Sequence, residues 1–280
     1  MELIDTHQHL IWRDRLGYGW TGGIPALAEG DFLPETYQSE VAGLGILGSL
    51  FMETGVDDAD YQAEARHVAT QVGQHGILGQ IASCRPEDAQ GFDAWLEECA
   101  GLKVHGFRRI LHVMPDELSQ GETFRANLRK IGRKGWAFDL CFLARQLPIA
   151  VELARACPDQ PLVLDHCGVP DIAGGAFDSW ASAIADLARL PNVNVKLSGI
   201  TAYCAPGTAG LATLRPWVAH VLDKFGADRM VWGSDWPVVV LGSGLREWIG
   251  LTDELLTALS PAEKASIGHL NARRIYGLPG

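Results

Sequence analysis

Short apolar runs recur along the chain, and longer segments with apolar residues at helical spacing separate them. Runs of this length that are rich in β-branched and aromatic residues are typical of strands buried in a parallel sheet. They are LIDTHQHL (3–10), ILGSLFMET (46–54), ILGQIAS (77–83), HGFRRIL (105–111), WAFDLCF (136–142), PLVLDHCG (161–168), NVNVKLSG (192–199) and RMVWGSDWP (229–237). The pattern therefore predicts eight strands with helices between them.

The segments between these runs carry the start and stop signals of helices. One segment stops at Gly76, and another begins at Asp178, a residue type that caps helix N-termini. A third has Pro216 near its start, and a fourth opens with Ser260 and Glu263, which together outline a capping box. We therefore expect helices to alternate with the strands.

This alternation predicts a single (β/α)8 barrel over residues 1–280, a TIM-like α/β fold, instead of a doubly wound open sheet. A doubly wound enzyme that binds a dinucleotide should show a glycine-rich phosphate turn after its first strand. The sequence HQHLIWRDRLGYGW (7–20) stands in that place. No linker rich in Gly, Ser or Pro divides the chain, so we expect one domain.

Residues 11–36 interrupt the regular alternation. The segment is long and rich in glycine, and it contains Trp12, Tyr18 and Trp20 before the first helix starts near Pro34. Loops of this length in a compact domain are usually functional or disordered, and this one is too aromatic for disorder. We expect it to form a lid over the mouth of the barrel.

The chain is acidic, with 34 Asp and Glu against 23 Lys and Arg and a net charge of −11. A nucleic-acid surface needs clustered cations, so we expect no nucleic-acid partner. No apolar run reaches the ~18 residues of a membrane span, which argues against a membrane protein.

The six cysteines are scattered, and no two of them form a C-x-x-C pair. Neither a zinc knuckle nor a disulfide framework is therefore indicated. The sequence also starts with a strand instead of a basic and apolar leader. We expect a protein of the reducing cytoplasm. A homo-oligomer is compatible with the sequence, which leaves the number of subunits open.

Polar side chains collect at the ends of the predicted strands. The active site of a (β/α)8 barrel lies at the carboxyl ends of its strands. Seven of the eight runs carry polar residues in or near their second half, namely His7, His9, Glu53, Arg108, Asp139, Asp165, His166, Lys196, Ser198 and Asp235. This convergence on one rim favours an enzyme.

Strand alternation also predicts where these side chains point. His7 and His9 are two residues apart, so both should project from the same face of the first strand. Asp165 and His166 are neighbours, and we expect His166 to face inward while Asp165 packs outside. Five further histidines are expected on surfaces or helices without a role in the site; they are His67, His75, His112, His220 and His269.

An ordered series of motifs covers nearly the whole chain: DTHQHLIW, YGW, HGFRRILH, FDL, LVLDHCGVPDI, IADLARLPNVNVKLSGI, FGADRMVWGSDWPV and NARRIYGL. The series resembles the motifs of the amidohydrolase superfamily. Within the superfamily it resembles the branch of sugar lactonases, to which 2-pyrone-4,6-dicarboxylate lactonase is related. The resemblance implies a barrel enzyme that opens a lactone by attack of water. It also implies that Asp235 is the base, and that His7, His9 and His166 are catalytic histidines.

The resemblance leaves the metal content open. Superfamily members with two metals use a modified lysine or a glutamate on the fourth strand and a histidine on the fifth. This sequence has Arg108 and Asp139 there. A site with two metals is therefore not expected. One divalent ion, zinc if any, would be held by His7, His9 and Asp235, with Glu53 or His166 as a further ligand; a metal-free site is the alternative.

The predicted rim suits a neutral sugar lactone such as L-fucono- or L-rhamnonolactone. A pyrone dicarboxylate would need several cationic contacts. The rim offers two cations beside two acids, and tryptophans could stack on the sugar ring. The predicted substrate-binding residues are Arg108, Glu53, Trp12, Trp20, Lys196, Asp139 and Trp236. The alternatives are a pyrone-type lactonase, a zinc-dependent decarboxylase of the same superfamily, and a barrel that binds a sugar acid without turnover.

Overall fold

The computed structural model describes residues 1–279, which form the predicted (β/α)8 barrel. Eight strands run parallel in the order of the sequence. They are β1 (Leu3–Gln8), β2 (Ile46–Met52), β3 (Ile77–Ser83), β4 (Val104–Ile110), β5 (Ala137–Cys141), β6 (Leu162–Leu164), β7 (Val193–Leu197) and β8 (Met230–Trp232). A parallel bridge between Gln8 and Trp236 joins the end of β1 to the segment after β8.

Helices follow the strands and surround the sheet. They are α1 (Pro34–Val41), α2 (Tyr61–Ala69), α3 (Phe92–Cys99), α4 (Glu122–Arg133), α5 (Leu147–Ala156), α6 (Phe177–Ala188), α7 (Leu211–Phe225), α8 (Leu245–Leu255), α9 (Pro261–Ala265) and α10 (Asn271–Tyr276). Across residues 1–279, none of the helices has both the length and the apolar character needed to cross a bilayer.

The sequence signals predicted some helix starts correctly and others incorrectly. The capping box of α9 is confirmed, because Ser260 accepts a hydrogen bond from the Glu263 N–H and the Glu263 side chain accepts one from the Ser260 N–H. Helix α6 begins one residue before Asp178, which lies in its first turn and does not cap it. Helix α7 begins at Leu211, so Pro216 lies inside the helix and not near its start.

Two apolar layers hold the barrel together. The outer layer packs the helices against the sheet, and the inner layer fills the lower part of the barrel. Tyr276 and Ile275 of α10 join this inner layer. His105, at the start of β4, lies 2.8 Å from the Tyr276 carbonyl oxygen through its Nδ1 atom. Helix α10 therefore closes the end of the barrel opposite to the carboxyl ends of the strands.

A charged layer lies above the inner apolar layer. The ammonium of Lys196 on β7 is fully buried and pairs with the carboxylates of Asp139 on β5 and Asp165, the latter at 3.2 Å. The Tyr276 hydroxyl donates to Asp139 at 3.0 Å, and Lys196 also donates to the Thr6 carbonyl at 3.1 Å. Burial raises the pKa of Asp139 to about 7, although Lys196 opposes this shift. These contacts tie three strands to α10.

We predict that Lys196→Met lowers the free energy of unfolding by about 3–5 kcal/mol, because it leaves the buried Asp139 carboxylate without its cation and Asp165 with Arg108 alone. The measurement is denaturant unfolding followed by circular dichroism. The matched control is Lys224→Met, since Lys224 forms an exposed pair with Asp223 at 2.8 Å. The control should change the free energy of unfolding by less than about 0.5 kcal/mol. Equal losses in both variants would contradict the prediction.

Candidate active site

A cavity of about 520 Å³ opens at the carboxyl ends of the strands. Its polar base is formed by His9, Glu53, Arg108, His166 and Asp235. Its upper wall comes from the loops that follow the strands and includes Trp20, Ile24, Val56, Arg85, Arg109, His112, Val113, Met114, Leu143, Val169, Tyr203 and Val238. The cavity therefore has charged groups at its base and mostly apolar groups toward its mouth.

The carboxylate of Asp5 fixes the junction between β1 and the segment after β8. Its Oδ1 atom accepts the backbone N–H of His7 at 3.0 Å and that of Ser234 at 2.8 Å. Its Oδ2 atom accepts the Tyr37 hydroxyl at 2.6 Å. Asp5 is fully buried, so these bonds form away from competing water. Asp5 was not among the predicted site residues, yet it positions the backbone of His7 and of the residue before Asp235.

Three predicted catalytic groups meet at this junction. The Asp235 Oδ1 atom lies 3.6 Å from His7 Nε2 and 3.4 Å from His9 Nε2. Asp235 adopts a left-handed backbone conformation with φ of 61°, which is uncommon for a residue other than glycine. Its backbone N–H donates to the His7 carbonyl at 2.8 Å. The last part of β1 and the turn after β8 therefore hold these side chains together.

His166 reaches the same base from β6. The strand ends at Leu164, and His166 turns away from it with φ of 52°. Its Nδ1 atom lies 2.9 Å from the Ser198 hydroxyl, and its ring centroid lies 4.4 Å from that of His7. His166 also lines the cavity, so the structure brings it together with the other three predicted catalytic residues.

The expectation that Asp165 packs outside the barrel is wrong. Its Oδ1 atom lies 3.4 Å from His7 Nδ1, and its Oδ2 atom lies 3.5 Å from Arg108 Nη1. Asp165 and His166 can both face inward because strand alternation ends at Leu164 and the next residues form a tight turn. Burial disfavours the charge of Asp165, but Lys196 and Arg108 outweigh this effect and hold the pKa of Asp165 well below its usual range.

Burial favours the neutral form of two histidines at the base, His7 and His166. Burial lowers the pKa of His7 well below its ordinary value; the charge of Lys196 acts in the same direction, and that of Asp165 opposes it. Burial also lowers the pKa of His166. The His7 Nδ1 atom lies 3.4 Å from Asp165 Oδ1 and 3.3 Å from the Lys196 ammonium, and its Nε2 atom faces Arg108 Nη1 at 3.2 Å.

Arg108 and Glu53 form a buried pair beside the histidines. The Arg108 Nε atom donates to Glu53 Oε1 at 2.6 Å, and Nη2 donates to the Glu53 carbonyl at 2.6 Å. A third contact places Nη1 3.2 Å from His7 Nε2. Burial disfavours the charge of Arg108, but Glu53 and other carboxylates outweigh this effect and raise its pKa. The guanidinium is therefore a permanent cation at the base of the cavity.

His7, His9 and Asp235 could hold one metal ion, because one donor atom from each lies within 4.8 Å of the others. Two imidazoles and a carboxylate are a suitable donor set for zinc. The separations of 3.4 and 3.6 Å are near the ~3.3 Å expected between tetrahedral ligands with bonds of about 2.0–2.1 Å. Glu53 does not belong to this group, because its carboxylate is bound to Arg108 and the Gly55 N–H.

Of the three predicted tryptophans, Trp20 alone lines the cavity. Trp12 is buried and packs against Phe51 and His67. Trp236 is buried among the residues beneath the first loop, where its indole N–H donates to Glu40 at 3.3 Å. Neither Trp12 nor Trp236 can contact a substrate from these positions, because both rings are part of the apolar core.

Two of the predicted charged contacts also lie outside the cavity lining. Lys196 and Asp139 are fully buried beneath His7 and are bound to each other. Sequence alternation had placed them on the rim, but their strand positions lie one layer below it. They therefore support the histidines instead of contacting a substrate. Arg108 and Glu53 do line the cavity.

Sequence reasoning missed several residues of the cavity wall. His112 was expected to have no role, but it follows β4 by two residues and lines the cavity. Arg85, Arg109 and Tyr203 also line it. The signal that could have found His112 is its position just after a strand, because loops at that end of the barrel form the active site.

The segment expected to form a lid contributes to the side of the cavity. The Trp20 indole N–H donates to the Thr54 carbonyl at 2.9 Å, and the Gly17 N–H donates to Asp60 at 2.9 Å. The Gly19 N–H donates to Asp57 at 3.1 Å. These bonds attach the segment to the loop after β2, so it forms part of the wall beside the mouth.

Comparison with known proteins identifies the family of the chain. The model of the amidohydrolase family matches residues 4–278. An L-fucono-1,5-lactonase of Burkholderia multivorans is 28% identical over 99% of this chain and 96% of its own length. A 4-sulfomuconolactone hydrolase of Rhizobium radiobacter is 26% identical over 83% of this chain and 75% of its own length.

The fold is similar to that of a crystal structure of an amidohydrolase from Burkholderia multivorans with bound zinc. The TM-score is 0.89 at 28% sequence identity, and the alignment covers 100% of both chains. The chain is an enzyme of the amidohydrolase family.

Proposed function

We propose that this enzyme hydrolyses a neutral, sugar-derived lactone such as an aldonolactone to the open sugar acid. One observation carries the proposal: Asp235 meets His7, His9 and His166 at the base of a cavity whose arginines are each paired with an acid. The names of the two relatives, both of which act on lactones, support the reaction class.

In the proposed reaction the Asp235 carboxylate removes a proton from a water molecule as its oxygen attacks the lactone carbonyl carbon. The carbonyl oxygen becomes an oxyanion. Hydrogen-bond donors at the base of the cavity, including the Arg108 guanidinium, would stabilise it. When the intermediate collapses, the bond between the carbonyl carbon and the ring oxygen breaks, and Asp235 delivers the proton to the leaving alkoxide.

The donor set of His7, His9 and Asp235 fits one zinc ion, as the separations above indicate. Such an ion, when bound, supplies a Lewis acid for the carbonyl oxygen and lowers the pKa of water. Asp165 and Lys196 lie 3.4 and 3.3 Å from His7 Nδ1 on the other side of the ring, where they would hold the imidazole with Nε2 facing this position.

The charges of the cavity favour a neutral substrate. Arg108 pairs with Glu53 at 2.6 Å. Arg85 pairs with Asp58 at 2.8 Å, and Arg109 pairs with Glu87 at 2.6 Å. A dicarboxylate or a sulfonate needs cations that are free to bind it. Within the described cavity lining, every arginine already has an acidic partner, which disfavours a pyrone dicarboxylate.

The decarboxylase alternative is also disfavoured. A zinc-dependent decarboxylase of this superfamily would use a histidine on the fifth strand. This chain has Asp139 there, buried against Lys196 and away from the cavity. A metal bound at the base would therefore lack this fifth-strand ligand.

The test is a panel of lactones, with proton release followed by a pH indicator, on enzyme prepared without metal and with added zinc. The panel contains neutral aldonolactones of several stereochemistries, 2-pyrone-4,6-dicarboxylate and an aromatic carboxylic acid for decarboxylation. We expect ring opening of one stereochemical subset of the aldonolactones. Turnover of the dicarboxylate alone, or release of carbon dioxide alone, would overturn the proposal.

We predict that Asp235→Asn lowers kcat by a factor on the order of 10² or more, because an amide cannot accept the proton of the attacking water. The expected fold is unchanged, which circular dichroism would verify. The matched control is Asp223→Asn, whose carboxylate lies on the surface beside Lys224. Turnover near that of the unmodified enzyme in Asp235→Asn would contradict the assignment of the base.

Gly199 gives a second test of the geometry. A Cβ atom at this position would lie 2.4 Å from His166 Nδ1 and 2.8 Å from Asp235 Oδ2. We predict that Gly199→Ala displaces both side chains and lowers kcat by a factor on the order of 10².

The matched control for this test is Gly207→Ala. Gly207 has φ of 74°, similar to the 65° of Gly199, but no atom lies within 4 Å of its Cβ position. Both variants therefore carry a similar backbone strain, but only Gly199→Ala places a Cβ atom against His166 and Asp235. If the two variants lost activity equally, the strain and not the contact would be the cause.

A further inference from the structure

His112 and Cys141 form a pair in the cavity wall that the proposed reaction does not use. The His112 Nδ1 atom lies 3.1 Å from the Cys141 sulfur, and both residues line the cavity. Cys141 ends β5, and the Leu111 N–H donates to its carbonyl at 3.2 Å. The pair therefore joins the ends of β4 and β5 at the mouth of the barrel.

The pair is uncharged at neutral pH. Burial raises the pKa of the Cys141 thiol to about 12, although Arg108 opposes this shift. Burial lowers the pKa of His112 to about 4, and the charge of Arg108 acts in the same direction. A neutral thiol is a donor, and a neutral imidazole nitrogen is a far better acceptor than sulfur. The S–H group therefore points at Nδ1, which places the imidazole proton on Nε2.

The other ring nitrogen of His112 is available to a ligand. Within residues 1–279, its Nε2 atom has no hydrogen-bond partner in the protein. The residues that flank His112 along the chain and line the cavity are the apolar Ile110, Val113 and Met114, and the apolar Leu143 follows β5 in the same lining. An N–H donor among these residues can bind one oxygen of a ligand, and few other groups beside it can form a hydrogen bond to that oxygen.

We propose that His112 is a specificity residue, whose Nε2–H donates a hydrogen bond to one hydroxyl oxygen of the lactone. Cys141 is a positioning residue, which holds the donor tautomer through its S–H bond to Nδ1. The proposal rests on the proposed function. It deepens that function by naming a polar contact that separates hydroxylated lactones from deoxy analogues of the same ring.

The test compares the preferred hydroxylated lactone with its singly deoxygenated analogues, in the unmodified enzyme and in His112→Phe. His112→Phe keeps a ring of similar shape but removes the N–H donor. We expect kcat/KM for the preferred hydroxylated lactone to fall about tenfold in this variant. The series of singly deoxygenated lactones should contain one member for which His112→Phe and the unmodified enzyme have equal kcat/KM. His269→Phe, in the π-helical segment before α10 at the closed end of the barrel, is the matched control and should change neither value.

A uniform loss of kcat/KM by His112→Phe across the whole series would overturn the proposal, because a structural role alone would lower all the values together. No loss for any lactone would also overturn it. If the unmodified enzyme opens no lactone at all, the proposed function fails. The specificity role of His112 then fails with it, while the positioning role of Cys141 is tested separately by the tautomer measurement that follows.

The positioning role of Cys141 has its own readout. Nitrogen-15 NMR of the His112 ring should show a proton on Nε2 and a lone pair on Nδ1, with no titration between pH 8 and about 5. Cys141→Ser keeps a donor and should preserve this tautomer, whereas Cys141→Ala should give a mixture. A proton on Nδ1 in the unmodified enzyme, or no effect of Cys141→Ala on the tautomer, would overturn the positioning role.

Discussion

Charge compensation inside the barrel is the constraint on which the site depends. Arg108 and Lys196 lie in the interior with the carboxylates of Glu53, Asp139 and Asp165. Any one of these charges would cost several kcal/mol if it were buried alone, so each holds its partners in place. Together they connect β2, β4, β5, β6 and β7 beneath the histidines. The two cations act in the same direction as burial on the pKa of His166, and Lys196 does so on that of His7, so both favour the neutral imidazole.

The precision of the site comes from the turns that follow short strands. β6 and β8 have three residues each, and the chain leaves them with left-handed conformations at His166 and Asp235. Such conformations cost about 1–3 kcal/mol and persist only where the surroundings hold them. Here the Asp5 carboxylate binds the backbone of His7 and Ser234, and it thereby fixes both sides of the junction.

The sequence allowed the barrel to be predicted because strand and helix periodicity are local properties. Each of the eight runs contains one strand, and the convergence of His7, His9, His166 and Asp235 follows from their place at or just after the strand ends. The direction of a side chain after a strand depends on the turn, which local pattern does not encode. That is why Asp165 was placed outside, and why Trp236 and His112 were assigned to the wrong positions relative to the cavity. Lys196 lies within β7, and its depth below the rim is likewise not encoded in the local pattern.

The charges of the cavity also affect the release of the product in the proposed reaction. Hydrolysis of a neutral lactone creates a carboxylate close to that of Asp235, in a cavity whose described arginines all have acidic partners. Repulsion between the two carboxylates then favours departure of the sugar acid, while the lactone itself is not repelled. A protein that retains sugar acids would need the opposite arrangement, with a free cation facing the acid. The charge pattern therefore suits turnover better than it suits retention of the acid.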